Sequence, residues 1–269
     1  MSEVQEIVQQ IPTWIAVLIV LTDITVAALL WFGATRIAKR LGLPQRTQRR
    51  IAILMAVVPA VWLLVAPLLS ASLQGVLLPP RPNTSNIGTF PLILTPLLTG
   101  LLLLRSKTWR QIVRATPQSW LIGVQFYRNI GFVFLVLMSV GLLPAYFAVP
   151  AGYGDLLSGL PTLLVAYLIA RGWRGWRRAA WTINLVGMLD FVVALGVGSG
   201  LMHNLALSNA LFGETQIVTA PFAYFPLSLI PLYVVPIGLV LHTYSLLKLV
   251  WERQDARAFQ ADTNTVVAS

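Results

Sequence analysis

RSKTWRQIVRATPQSWLIGVQFYRNIGFVFLVLMSV, residues 105–140, decides the architecture. Arg105, Lys107, Arg110 and Arg114 crowd its start. From Pro117 onward it is an apolar run broken by one cation, Arg128. A helix that crosses a bilayer needs about 20 predominantly apolar residues, and this run supplies them. Basic loop followed by apolar run is the unit from which the rest of the chain is built.

Extending that unit in both directions predicts spans at 14–35, 51–78, 88–104, 117–143, 155–171, 179–201 and 222–248. The expected fold is therefore an all-α polytopic transmembrane bundle of about seven helices, one domain over residues 1–251. Residues 252–269 (ERQDARAFQADTNTVVAS) are polar and are expected to form a disordered tail. Composition agrees. Of 269 residues, 57% are hydrophobic and 10% charged, with a mean hydropathy of +0.77. A soluble domain carries roughly 25% charged residues, so a water-surfaced globule is excluded.

Of the 19 Lys and Arg, all but Arg81 and Arg128 lie in four patches: 36–50, 105–114, 171–178 and 248–257. Every patch falls on the same side of the alternating spans. The positive-inside rule makes that side cytoplasmic, which places the N-terminus outside and the C-terminus in the cytoplasm. The net charge of +10 is thus explained by topology. Anionic lipids at the basic face are the expected partner, and nucleic acid is not. The first apolar run has no basic region before it, so no cleavable signal peptide is expected. Trp109, Trp120, Trp173, Trp176, Trp181 and Trp251 mark the predicted inner boundary as an aromatic belt. Thr116 before Pro117 reads as the cap of the fourth span.

Three charges fall inside spans: Asp23, Arg128 and Asp190. A charge at the bilayer centre costs about 2.5–3.5 kcal/mol on insertion scales, so each should face the bundle interior and find a partner. At about 1.5 Å per residue, Arg128 lies roughly 16 Å beyond Pro117 and Asp190 roughly 18 Å beyond Arg178, both from the inner side. Asp23 lies roughly 13 Å in from Trp14 on the outer side. The three are expected at similar depth, with an Arg128–Asp190 contact between the fourth and sixth spans. Gln125, Arg128 and Asn129 share one helical face at i, i+3, i+4 spacing. Gly187, Asp190, Ala194 and Gly198 give Asp190 a small-residue face, and Asn184 lies earlier on the same helix. Such a core serves as an ion pair that fixes helix register, or as a site for a polar ligand or proton. Snorkelling of Arg128 to the inner interface is a third reading.

Other candidates lie nearer the surfaces. Tyr153 and Asp155, in PAGYGD at 150–155, are placed on the outer side, where Asp155 either caps the fifth span or binds a cation. His242 lies roughly 9 Å from the inner boundary, counted from Lys248, and reads first as a packing residue, then as a proton relay or ligand. His203 is placed on the outer side, too far from His242 for a shared haem. With two His and no Cys, no cofactor, thiolate metal site or disulfide is expected. Pro221, Pro226, Pro231 and Pro236 predict a kinked outer half of the last span. No nucleophile–base pair, HExxH or GxSxG is present, so catalysis is not the expected role.

QFYRNIGFVFLVLMSVGLLPAYFAVPAGYGD at 125–155, followed by NLVGMLD at 184–190, is similar to a pattern in an uncharacterised family of bacterial multi-pass inner-membrane proteins. The resemblance implies that location and carries no activity. A rhodopsin plan fails because Lys248 lies at the cytoplasmic end of the last span, and the other lysines, Lys39 and Lys107, lie in loops. The expected function is binding or transport of a small polar ligand, ion or proton. The alternatives are a structural or accessory subunit with a membrane-protein partner and, more weakly, an intramembrane enzyme acting on lipid.

Overall fold

A computed structural model describes residues 3–72, 90–202, 205–212 and 219–268; Arg81 and His203 lie outside them. Every regular element among the described residues is helical. In chain order these are α1 Glu3–Gln9, α2 Thr13–Arg40, α3 Gln45–Ser72, α4 Phe90–Leu103, α5 Lys107–Ala115 and α6 Gln118–Gly123. A 3₁₀ stretch, Val124–Gly131, joins α6 to α7 Phe132–Ser139. Then follow α8 Ala145–Gly159, α9 Pro161–Ala170, α10 Trp176–Gly198, α11 Leu205–Phe212 and α12 Val235–Ala268.

Six helical stretches are long and apolar enough to cross a membrane: Thr13–Arg40, Gln45–Ser70, Gln118–Ser139, Ala145–Ala170, Trp176–Gly198 and Ile230–Gln260. The third expected span is different. α4 has 14 residues, and α5 leaves it at 98°. Ser106 caps α5 by accepting the Trp109 amide hydrogen, and Arg110 donates twice to the Leu104 carbonyl. The turn is thus fixed by its own hydrogen bonds. Only with both arms counted as one bent span does the number reach seven.

Burial ranks the spans. The apolar window of Ile230–Gln260 is 67% buried inside the bundle and that of Gln118–Ser139 56%, against 22% and 11% for the first two. The last span and the Arg128 span are therefore the centre, and α2, α3 and the Ala145–Ala170 span, 17% buried, face outward over most of their length. Leu64 and Leu68 on α3 are 70% and 67% exposed, as side chains that meet lipid rather than protein would be.

Several sequence expectations are corrected. The fifth span begins at Ala145, ten residues before Asp155, so Asp155 caps nothing. Pro144 supplies the extended residue before it, and α7 ends with Gly141 at φ +77. There the Leu142 amide reaches back to the Leu137 carbonyl, the left-handed glycine stop of a helix. Residues 150–155 stay helical although they are rich in Gly and Pro. Backbone polar groups at membrane depth must be satisfied internally, which outweighs weak propensity. Residues 252–268 continue α12 as helix rather than forming a disordered tail. Lys248 pairs with Glu252 at 3.2 Å and Arg114 with Asp255 at 3.1 Å across that continuation. Thr116 turns its hydroxyl back to the Ile112 carbonyl, ending α5 instead of capping α6. The proline-rich entry to the last span departs from α-helix: a 3₁₀ turn at Ala220–Ala223 and a π turn at Ile230–Val234 precede α12.

Candidate functional site

The 3₁₀ stretch sets the geometry of the centre. Three residues per turn put Gln125 and Arg128 on one line and rotate Asn129 off it. Both Gln125 and Arg128 are 1% exposed. Asn129 instead bonds its amide to the Phe126 carbonyl, so the expected three-residue polar face is a two-residue one. Gln125 donates to the Gly238 carbonyl at 3.3 Å, and its side-chain oxygen takes no hydrogen bond from Arg128.

Arg128 donates four hydrogen bonds. Nε donates to Asp155 Oδ1 at 3.0 Å. Nη1 donates to the Gly187 carbonyl and to His242 Nε2, both at 3.1 Å. Nη2 is shared between Asp190 Oδ2, in a short contact, and Asp155 Oδ1 at 2.9 Å. The guanidinium also lies 4.0 Å from the Phe191 ring centroid, a cation–π position in a desolvated site. The structure thus brings Arg128 and Asp190 together and adds Asp155 and His242, which the sequence had placed near opposite faces.

Two glycines make the cluster possible. A Cβ at Gly154 of α8 would overlap the Asp190 carboxylate, and one at Gly187 of α10 would overlap His242 and crowd Arg128. α8 and α10 form the most extensive helix pair in the bundle. Close approach of small residues is the ordinary route to helix packing in lipid.

His242 continues the network toward the basic end. Arginine has no acceptor, so Nε2 of His242 must offer its lone pair to Nη1, leaving a neutral imidazole with hydrogen on Nδ1. That hydrogen meets Asn184 Oδ1 at 2.9 Å. The Asn184 amide donates to Ser245 Oγ at 2.8 Å, and Gln118, at the start of α6, donates to the same oxygen at 2.5 Å. One column of hydrogen-bonded side chains therefore runs from Arg128 to Gln118, roughly 15 Å along the axis. His242→Ala should leave an Arg128 N–H and the Asn184 carbonyl oxygen unpaired, lowering stability by about 1–3 kcal/mol. Thermal unfolding in mild detergent reads this, and His242→Gln should recover part of it.

On the other side of the acids lies a cavity of about 70 Å³, bordered by Asp155, Asp190 and five phenylalanines. Phe134, Phe147 and Phe222 meet pairwise at 5.0–5.5 Å in its wall. Its remaining lining includes Ala194, Gly198 and Ser199, so it extends from the cluster toward the end of the bundle opposite the basic patches.

Two expected site residues stand apart. Asp23 is fully buried on α2, yet neither carboxylate oxygen has a hydrogen-bond partner among the described residues. Tyr153 is 55% exposed on the outside of α8 and contributes nothing to the cluster. Among the described residues no three His, Cys, Asp or Glu gather as metal ligands.

Fold and site define a class: a helical bundle of membrane-crossing length built around one buried arginine shared by two aspartates. Residues 98–250 match the family described as Domain of unknown function (DUF8737), and they make up more than half of the chain. The protein belongs to that family. The matched stretch holds Arg128, Asp155, Asn184, Asp190 and His242, whereas Asp23 precedes it. No curated protein and no solved structure matches the chain.

Proposed function

We propose that this is a multi-pass protein of a bacterial inner membrane, with its N-terminus outside and its C-terminus in the cytoplasm. Its Arg128–Asp155–Asp190 core binds a small polar ligand, ion or proton and is built to pass it on. The observation that carries this reading is the placement of the core between a cavity and a polar column. A cavity reaches it from one end of the bundle, and a hydrogen-bonded column leaves it toward the other. A cluster needed only to hold helices together requires neither.

The test is thermal unfolding of the full chain in mild detergent over a range of pH and of dissolved ions and small polar solutes. At least one condition should shift the midpoint of the wild type and leave Asp190→Asn unmoved. Identical behaviour of the two proteins in every condition would remove the reading. Orientation is tested separately, because the chain has no native Cys. On intact cells a membrane-impermeant maleimide should label Val140→Cys and should reach Arg174→Cys only after permeabilisation. The reverse order would invert the topology.

One observation favours a second reading, a structural or accessory subunit with a membrane-protein partner. Arg128 already donates four hydrogen bonds inside the chain and pairs with both acids, as expected of a cluster that sets helix register.

A further inference from the structure

The cluster is unbalanced in charge. Arg128 contributes one positive charge and Asp155 and Asp190 two negative ones, while the bond from Arg128 holds His242 as a neutral imidazole. With both acids ionised the centre carries one uncompensated negative charge. No further Lys or Arg reaches either acid among the described residues. A charge at membrane depth is retained only with a partner, and the single positive charge of the guanidinium is already divided between the two acids. The balancing positive charge is either a proton held between the two acids or a cation that enters from the open side, which is the cavity.

The cavity walls select among cations. Phe90, Phe134, Phe147, Phe191 and Phe222 border it, and aromatic faces attract weakly hydrated organic cations. Phe191 already holds a guanidinium against its ring at 4.0 Å, so cation–π attraction operates within this wall. An alkali or divalent ion prefers several oxygen ligands, and beyond the two carboxylates the side chains of this lining offer only the Ser199 and Thr219 hydroxyls, each turned to a backbone carbonyl. A volume of about 70 Å³ is roughly five times the minimum that holds one water, room for a compact group of a few heavy atoms.

We infer that the cavity binds the ammonium head of a compact organic cation, with Asp155 and Asp190 supplying the charge and the phenylalanine rings the walls. The inference rests on the reading of the core as a ligand site and names the class of ligand. A quaternary ammonium needs no hydrogen-bond donor from the protein, which suits a lining that includes two carboxylates and, among the described residues, no cationic side chain.

The test follows the thermal unfolding of the full chain in mild detergent with three probes: choline, its uncharged isostere 3,3-dimethylbutan-1-ol, and acetate. Ionic strength is matched with NaCl. Choline should raise the midpoint saturably, and the uncharged isostere and acetate should not. Asp155→Asn should abolish the effect, and Phe222→Leu, which keeps the wall apolar, should weaken choline about tenfold. A shift from the isostere equal to that from choline would overturn the inference and leave the cavity as a ligand site. The same holds for a shift from acetate alone. A midpoint that depends on pH through Asp190 but ignores all three probes would replace the organic cation by a proton. No response to any probe or to pH would overturn both this inference and the ligand-site reading.

Discussion

Arg128→Ala is expected to be the most damaging single substitution in the chain, lowering stability by about 3–5 kcal/mol. The change removes the only cation in contact with Asp155 and Asp190 among the described residues. Both carboxylates are then left in the bundle core without a counter-charge. The substitution also strips the Gly187 carbonyl and His242 Nε2 of their donor and takes a cation from the face of Phe191. For a chain of this length the loss corresponds to a fall in the unfolding midpoint on the order of 10 °C. Arg128→Lys should restore only part of the loss, because an ammonium cannot reproduce the fork that meets two carboxylates, a carbonyl and an imidazole at once. A thermal melt of both variants beside wild type checks this. Equal stability of Arg128→Ala and wild type would mean the ion cluster contributes nothing to the fold.

Gly154→Val should be nearly as costly, for a different reason. Its Cβ would overlap the Asp190 carboxylate, and that carboxylate is tied to Arg128 and cannot swing aside without losing its partner. The α8–α10 pair would have to separate. Overpacking of this kind costs about 1–3 kcal/mol, to which the weakened ion pair adds. The contrast is Gly141→Asn, a left-handed position with open space around it, where asparagine is tolerated. A melt of the two variants should show a large loss at Gly154 and a small one at Gly141.

What the sequence showed and what it hid have physical causes. Arg128 and Asp190 were legible as partners because helical rise converts residue number into depth, and both counts began from the same basic face. Asp155 was hidden by composition. Gly and Pro in PAGYGD suggested a loop, whereas membrane depth demands continuous helix and the glycines serve close packing. His242 was placed too near the surface because Lys248 was taken as the water boundary. Lys248 is in fact 9% exposed, bonded to the Arg114 carbonyl and to Glu252, and the helix runs on to Ala268. Asn129 was misassigned because local 3₁₀ geometry changes which residues share a face. No pattern in the sequence distinguishes that stretch from α-helix. The bend between α4 and α5 was partly visible, in the shortness of the apolar run before Arg105. Asp23 remained a candidate by depth alone, and depth does not determine which neighbour a side chain meets.

The central claim is that two buried aspartates share one arginine, and the most direct measurement is a double-mutant cycle on the acids. Asp155→Asn and Asp190→Asn each leave Arg128 one carboxylate and balance the cluster at zero charge. Each single change is expected to lower stability by about 1 kcal/mol or less. The double variant leaves Arg128 buried without any counter-charge and is expected to lose about 3–5 kcal/mol, well beyond the sum of the singles. Losses that simply add would contradict the claim, because they would mean that each acid acts alone and that no counter-charge is shared.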